Sequence, residues 1–208
     1  MENRNTDKES RKKAVLDLLA NGVPVRYRDL RQVAKADLPI RELVEDGKIV
    51  KLSLGLYSLP ERDTTWDMLA AVSVRYPSAV ICMASAAAYH GLTAENPHEV
   101  WAAFPYDGSI PRPSDLCVRG FRWKPGSMKI GVENVDIGGV QVKMTSPERT
   151  VVDYLRTMNR TGETELALEA LGNFKGKLSS LLKIARELKA ERAVMPYVQA
   201  AQGLGRRP

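Results

Sequence analysis

Histidine and cysteine are the side chains that most often bind metals or act as nucleophiles, and the chain has two of each. His90 and His98 lack a partner at metal-ligand spacing, whether a second histidine, a cysteine or a group of carboxylates. Cys82 and Cys117 lie in apolar surroundings and form no Cys-x-x-Cys pair. The sequence therefore predicts no metal site, and we expect both cysteines to be buried free thiols in a reducing compartment.

Phosphoryl-transfer enzymes need carboxylates close enough together to hold Mg²⁺. Gly126 and Ser127 match the start of a nucleotidyltransferase signature, but only Asp136 follows at a suitable distance, so the Asp-x-Asp pair is missing. The chain also lacks a P-loop, a G-x-S-x-G nucleophile turn and the P-D…(D/E)-x-K residues of a nuclease. We therefore expect a protein that is not an enzyme and needs no cofactor.

Phosphate binding, in contrast, needs mainly positive charge. The net charge of +6 and the pI of about 9.3 favour nucleic acid as a partner, although many basic proteins bind none. The candidate DNA contacts lie in an N-terminal arm, on two successive predicted helices and in a predicted hairpin, and they are Arg11, Lys12, Arg28, Arg31, Lys35, Arg41, Lys48, Lys51 and Ser53. Arg41 is the best candidate for a base contact, because a guanidinium can pair with guanine through two hydrogen bonds.

The elements that must position these residues follow one another between residues 8 and 60. The pattern predicts a helix over 8–20, a second helix over 27–33, a third helix capped by Asp37, and a hairpin of strands 48–52 and 56–59. In the third helix, Ile40, Leu43 and Val44 have the spacing of a buried face. This order predicts a winged helix-turn-helix DNA-binding domain in residues 1–62, with the third helix in the major groove and the hairpin as its wing.

Acidic residues around the third helix leave a second interpretation open. Four acidic residues near the third helix would repel phosphate, namely Asp37, Glu42, Glu45 and Asp46. Because acidic residues offset most of the basic ones, residues 1–62 carry only a small positive excess. A winged helix with such a surface can instead dock onto another protein. The alternative prediction is therefore a protein-docking module that binds its partner directly, without sequence-specific DNA binding.

The sequence pattern of residues 63–208 predicts a mixed α+β domain with a small antiparallel sheet and C-terminal helices. Strands are expected over 100–104, 116–123, 129–137 and 139–144. Thr145 is expected to cap the next helix with Glu148 as its capping-box partner, and a short last helix is expected after Pro196. A second group of basic residues, interleaved with aromatic ones, falls at the second strand and consists of Arg112, Arg119, Phe121, Arg122, Trp123, Lys124 and Lys129.

Arg149 and Asp153 lie four residues apart on the helix that follows these strands. That spacing predicts an ion pair on the helix surface. We favour a structural role, in which Arg149 ties the start of the helix to the preceding strands. The alternative is a polar patch that meets a partner.

No apolar run reaches the length of about 18 residues that a membrane span needs, so we expect no membrane association. The first 13 residues are polar and of mixed charge, without the apolar core of a signal peptide, so export is not expected.

Six segments resemble the AbiEi-type antitoxins of bacterial type IV toxin–antitoxin systems. They are KIVKLSLGLY at 48–57, ASAAAYHGLT at 84–93, the strand VWAAF at 100–104, TSPERTVVD at 145–153, LLKIAR at 181–186 and MPYV at 195–198. The resemblance covers nearly the whole chain, and SPERTVVD is its most specific part, although nuclease-fused relatives share it.

The resemblance implies a cytoplasmic bacterial protein with two roles. One is autorepression, in which the winged helix binds inverted repeats in the promoter of its own operon, with Lys35, Arg41, Lys48 and Lys51 near DNA. The other is antitoxin action, in which the C-terminal domain opposes a nucleotidyltransferase toxin, usually without a stable complex. We expect a monomer in solution, with two copies on the inverted repeat a plausible arrangement.

Overall fold

The computed structural model describes residues 2–53, 55–60, 66–108, 110 and 117–203, with the side chains of all but residues 2–5 and 53. By their contacts, these residues separate into two compact units. The first unit contains residues 2–53, 55–60, 66–77 and 135–142, and the second contains the remaining described residues.

The first unit consists of helices and a three-stranded antiparallel sheet with the strand order β1-β3-β2. Its elements in chain order are α1 (Glu2–Leu19), β1 (Val25–Arg26), α2 (Tyr27–Ala34), α3 (Leu38–Glu45), β2 (Val50–Ser53), β3 (Leu56–Ser58) and α4 (Asp67–Arg75). The order of α1, α2, α3, β2 and β3 agrees with the sequence prediction. The first helix begins at Glu2, earlier than expected.

A single apolar core holds helices α1, α2 and α3 together. The predicted spacing is confirmed in α3, since Ile40 and Leu43 are buried and Val44 is half-buried against the same core. Val15 and Leu19 of α1 meet them there. The apolar face of α3 therefore fixes which of its side chains face outward.

Helix α4 belongs with the first unit, which by its contacts extends past residue 62 to residue 77 and also includes residues 135–142. Helix α4 packs against β1 and β2, and the guanidinium of Arg26 donates a hydrogen bond to the carbonyl of Val74. The sequence predicted the boundary in the short stretch 60–65, because Pro60 ends the predicted hairpin. Residues 61–65 lie outside the described part of the chain.

The remaining elements form a five-stranded sheet and a group of helices. In chain order they are β4 (Val80–Ile81), α5 (Met83–Tyr89), β5 (Val100–Pro105), β6 (Val118–Trp123), a short 3₁₀ helix (Pro125–Met128), β7 (Val132–Ile137), β8 (Val140–Thr145), α6 (Pro147–Thr161), α7 (Thr164–Asn173), α8 (Leu178–Glu187) and α9 (Glu191–Gly203).

The five-stranded sheet is mixed, which corrects the prediction of an antiparallel sheet. Its strand order is β6-β5-β4-β8-β7, with β4 antiparallel to β5 but parallel to β8, and β5 parallel to β6. Alternation of apolar and polar residues indicates a strand but carries no information about its direction relative to a neighbour. The pattern of the sequence could therefore not predict which pairs of strands are parallel.

Helix α6 is the centre of the second unit. Val151, Val152, Tyr154, Leu155 and Met158 are buried, and helices α5, α7, α8 and α9 all contact α6. The prediction of a short helix after Pro196 was wrong, because Pro196 lies inside α9. Burial of Val194 and Val198 on either side holds the helix together where the proline lacks an N–H donor.

The start of α6 differs from the predicted cap. Ser146, not Thr145, is the capping residue, and its hydroxyl accepts a hydrogen bond from the backbone N–H of Arg149 at 3.2 Å. Thr145 is buried, and its hydroxyl instead lies 2.7 Å from that of Thr150. The chain enters the helix one residue later than the sequence pattern indicated.

The two cysteines differ in environment. Cys82 is buried as expected, and desolvation raises the pKa of its thiol well above the ordinary value. Cys117 is exposed, so the expectation of a second buried thiol was wrong. Cys117 immediately precedes β6. Among the described residues, no helix has the length and apolarity that crossing a membrane requires.

Candidate nucleic-acid interface

The turn between α2 and α3 is held by a small polar network around Asp37. Tyr27 donates its hydroxyl proton to Asp37 at 2.5 Å, and Nε of Arg31 lies 2.7 Å from the same carboxylate oxygen. The hydrogen bond from Tyr27 and the charge of Arg31 hold the pKa of Asp37 below its ordinary value. Asp37 precedes α3 as predicted, but its side chain makes no capping hydrogen bond. Its carboxylate is engaged by α2 instead.

Lys35 adopts a left-handed backbone conformation, with φ of 55°, and its N–H closes α2 by bonding to the carbonyl of Arg31. Its side chain is exposed and has no ion-pair partner within the described residues. The structure therefore places Lys35 at the turn that leads into α3, as the sequence predicted.

Glu42 on α3 is neutralised from α1. The ammonium groups of Lys8 and Lys12 lie 2.6 Å and 2.8 Å from its two carboxylate oxygens, and Lys12 also lies 3.7 Å from Asp46. Hydrogen bonds from Lys12 and Lys8 lower the pKa of Glu42 below its ordinary value. The side chain of Lys12 is only 13% exposed. Lys12 is therefore engaged with the acids at the C-terminal end of α3, and it is not one of the exposed cations that DNA would meet.

The remaining acid of α3, Glu45, lies 3.7 Å from Arg41, four residues earlier, and both side chains are exposed. Such a pair is weak and can open when a stronger partner arrives. Arg41 is thus on the outward face of α3, as predicted, with its guanidinium available at the surface.

Lys51 lies on β2, and Lys48 lies two residues before that strand, which begins at Val50 and not at residue 48 as predicted. Both side chains are exposed and have no ion-pair partner in the described part of the chain. The register of the hairpin shifts between Lys51 and Ser53. Ser53 ends β2, and its side chain falls outside the described atoms.

A groove with a volume of about 530 Å³ separates α3 from the hairpin. Ile40, Val44 and the rings of Tyr27 and Tyr57 line it, and the two rings lie 6.0 Å apart. Arg41 and Lys51 also line the groove. It therefore brings together the predicted base-contacting residue and a predicted wing residue.

The other predicted contacts lie apart from this groove. Arg28 on α2 is exposed and lies 3.3 Å from Asp29, while Arg31 is committed to Asp37. Arg11 pairs with Asp7 on α1 at 2.5 Å. The sequence missed Lys8 as a partner of α3, and it missed the two tyrosines, because only the fold brings positions 27 and 57 together.

In the second unit, the predicted pair of Arg149 and Asp153 forms, with Nε and Oδ2 at 2.8 Å, but it is buried rather than on the helix surface. Arg149 also donates to the carbonyls of Ser127 at 3.0 Å and Ile130 at 2.6 Å. These bonds agree with the structural role that we favoured. The pair is buried because the segment before β7 covers it.

The aromatic and basic residues of β6 also form contacts. The guanidinium of Arg119 lies 4.1 Å from the ring centre of Trp101, and the rings of Trp101 and Phe121 are 5.5 Å apart. This arrangement is a cation–π stack on a partly exposed sheet face. Arg112 lies outside the described residues.

Nε2 of His90 lies 2.8 Å from the carbonyl of Thr145, so this histidine has a structural hydrogen bond. In the part of the chain that the structure describes, no group of three or more histidine, cysteine or acidic side chains could hold a metal ion.

Comparisons with known proteins bear on the fold. No protein-family model matches the chain, and no curated protein matches it. The chain is similar to a solved structure, the RV2827C protein from Mycobacterium tuberculosis, with a TM-score of 0.56 and 16% sequence identity. The match covers 88% of this chain and 77% of that one. At this identity the similarity shows a shared mixed α and β fold and nothing about activity.

Proposed function

We propose that the first unit contains a winged helix-turn-helix domain that binds duplex DNA, and that the protein is a transcriptional autorepressor. In this proposal α3 enters the major groove and the hairpin of β2 and β3 is the wing. The operator is an inverted repeat in the promoter of its own operon, and two copies of an otherwise monomeric protein occupy it.

The observation that carries this proposal is the internal neutralisation of the acids around α3. Glu42 is paired with Lys8 and Lys12 of α1, and Asp37 is paired with Arg31 of α2. The acids that weakened the sequence prediction are therefore largely compensated within the unit. Lys35, Lys48 and Lys51 lack ion-pair partners in the described residues, so their charge is available to phosphates.

The groove between α3 and the hairpin supports the same proposal. A helix and a hairpin that flank a groove can meet the major groove and the adjacent backbone of one duplex, since the major groove is about 12 Å wide. Arg41 on α3 would reach a guanine edge, and Lys51 on the hairpin would meet phosphate.

We further propose that the second unit counteracts a nucleotidyltransferase toxin without forming a stable complex with it. The support is the resemblance of SPERTVVD and of the other quoted segments to AbiEi-type antitoxins. In this proposal the protein is a regulator and not an enzyme.

A mobility-shift titration with the duplex upstream of its own gene tests DNA binding. We expect a shift at nanomolar to low-micromolar protein, with an affinity that falls steeply as salt rises. Arg41→Glu should abolish the shift while toxin neutralisation in cells persists. The matched control is Arg192→Glu, since Arg192 is exposed on α9 in the second unit. The absence of a shift at low salt would refute the proposal.

A specific observation also favours the second candidate, a protein-docking module. The groove beside α3 is lined mainly by apolar and aromatic groups, and Leu38 at the start of α3 is exposed. Such a surface suits a protein partner. Co-purification of the wild-type protein with the product of the neighbouring gene, lost in Tyr57→Ala but retained in Arg41→Glu, would favour this candidate over DNA binding.

A further inference from the structure

The groove between α3 and the hairpin of β2 and β3 has the dimensions of a ligand site. Its volume of about 530 Å³ is within the size range of small-molecule sites. One wall follows α3, because Asp37 at the start of the helix and Ile40, Arg41 and Val44 within it recur at intervals of three and four residues. This wall therefore presents the apolar side chains of Ile40 and Val44 beside the guanidinium of Arg41.

The facing wall comes from the hairpin. Lys51 of β2 and Tyr57 of β3 are directly paired in antiparallel strands, so their side chains project from the same face of the sheet. Both line the groove, together with Tyr27. The backbone N–H of Tyr27 donates to the carbonyl of Gly55 at 2.7 Å, which ties the start of α2 to the hairpin. The rings of Tyr27 and Tyr57, 6.0 Å apart, thus form one aromatic surface.

The available charge in the groove is positive. Lys51 is exposed and has no ion-pair partner among the described residues. Arg41 has only its weak, exposed pair with Glu45 at 3.7 Å. The acid of the lining, Asp37, lies 2.7 Å from Nε of Arg31, so its charge is compensated from α2. The two cations that line the groove can therefore bind an anion.

We propose that this groove binds an aromatic carboxylate and that the bound ligand releases DNA. The ring system packs on Ile40, Val44 and the two tyrosine rings, where burial of its apolar area favours binding. The carboxylate accepts hydrogen bonds from the guanidinium of Arg41 and the ammonium of Lys51. The same two side chains are proposed to meet a guanine edge and a phosphate, so ligand and duplex exclude each other. The release of DNA rests on the proposed function, whereas the binding of the ligand does not.

Isothermal titration of the full chain, without DNA, tests the ligand site. The probes are indole-3-acetate, its neutral amide indole-3-acetamide, and acetate. We expect indole-3-acetate to bind at least about tenfold more tightly than either of the others, because only it uses both the aromatic surface and the cations. Undetectable binding of indole-3-acetate at millimolar concentration would overturn the proposal. Equal binding of the amide or of acetate would also overturn it, since one half of the site would then contribute nothing.

Variants locate the binding. Arg41→Gln combined with Lys51→Gln should weaken the binding of indole-3-acetate at least about tenfold. The matched control is Lys13→Gln, which should leave it unchanged, since Lys13 is an exposed lysine of α1 outside the groove lining. Tyr57→Leu keeps an apolar side chain but removes a ring, and it should weaken binding in protein that is still folded by circular dichroism. Unchanged affinity in the double variant would place the ligand elsewhere and refute the assignment of this groove.

The mobility-shift assay with the operator duplex tests the release of DNA. The shift should be lost at saturating indole-3-acetate and persist in indole-3-acetamide at the same concentration. Sodium acetate at that concentration is the control for ionic strength. A duplex that stays bound at saturating indole-3-acetate would contradict the release. A protein that binds indole-3-acetate but shifts no duplex in its absence would refute the proposed DNA binding, and the release with it, while supporting the ligand site.

Discussion

The guanidinium of Arg149 and the carboxylate of Asp153 lie 2.8 Å apart in the interior of the second unit, with their side chains 0% and 1% exposed. Each has further partners. Arg149 lies over the ring of Trp123 at 4.2 Å, and the second oxygen of Asp153 accepts from Nε of Arg156 at 2.7 Å. The pair therefore joins α6 to β6 and to the segment before β7, and neither charge can be lost without leaving the other buried.

Asp153→Ala is expected to lower the free energy of unfolding by about 3 to 5 kcal/mol, because it leaves the guanidinium of Arg149 buried without its counter-charge. Urea denaturation followed by circular dichroism measures this change. Arg156→Ala is the control, since Arg156 is 26% exposed and contacts the same carboxylate. Its loss should cost about 1 kcal/mol or less. Equal losses in the two variants would contradict the central place of Arg149.

Gly131→Ala is expected to destabilise the protein by at least about 2 kcal/mol, because it combines two penalties. Gly131 has φ of +58°, and an added Cβ would lie 2.7 Å from Cβ of Arg149. The left-handed conformation disfavours alanine, and the contact would displace the arginine. Thermal and urea denaturation of the variant measure the change.

Substitutions at two other glycines allow the cost of backbone strain to be measured apart from the cost of the contact with Arg149. Gly162 has φ of +77° with open space around its Cβ position, so Gly162→Ala should cost about 1 to 2 kcal/mol from backbone strain alone. Gly126 has open space and no positive φ, so Gly126→Ala should change stability by about 0.5 kcal/mol or less. If Gly131→Ala costs no more than Gly162→Ala, the contact with Arg149 is relieved by local movement.

These residues show what the sequence can and cannot predict. The spacing of Ile40, Leu43 and Val44 predicts the buried face of α3, because helical periodicity is a local property. The spacing of Arg149 and Asp153 likewise predicts their pairing. It does not predict their burial, because the covering groups, Trp123 and the segment around Ser127, are more than 20 positions away in the chain.

In the candidate interface, too, the sequence predicts local features but not contacts between distant positions. The sequence identifies Arg41, Lys48 and Lys51 as outward basic residues, but it does not reveal that Lys12 turns inward to Glu42, 30 positions away. Charges that are close in space and distant in sequence cancel only in the folded chain. The net charge of residues 1–62 therefore does not reveal which basic side chains remain unpaired at the surface, as Lys48 and Lys51 do among the described residues.

The pairing of Glu42 with α1 predicts a dependence of stability on pH. The pKa of Glu42 is lowered from 4.5, chiefly by the hydrogen bond from Lys12 and then by that from Lys8. A carboxylate with a lowered folded-state pKa contributes stability that is fully present above its unfolded value of about 4.5 and is lost as the pH falls through the lowered value. Glu42→Gln should therefore destabilise the protein at neutral pH, and its difference from wild type should vanish in acid.

Denaturant midpoints of wild type and Glu42→Gln, measured from neutral pH to below the ordinary pKa, check this dependence. Glu45→Gln is the matched control, since Glu45 is an exposed acid of the same helix with one weak partner. It should change stability little at any pH. A Glu42→Gln difference that persists unchanged in acid would mean that the amide disturbs packing, and that the ion pairs with Lys8 and Lys12 contribute little.

Substitutions of Lys12 and Lys51 distinguish a lysine that stabilises the fold from a lysine that we propose contacts DNA. Lys51 is exposed beside the groove, so Lys51→Gln should lower affinity for the operator duplex and reduce the slope of log affinity against log salt by about 1, the value for one lost phosphate contact. The ammonium of Lys12 lies 2.8 Å from Glu42, so Lys12→Gln should leave that slope unchanged while lowering the midpoint of urea denaturation. Binding titrations at several salt concentrations, with denaturation curves for the same samples, measure both quantities. A reduced salt slope in Lys12→Gln with an unchanged midpoint would place Lys12 on the DNA and reverse the assignment made from its burial.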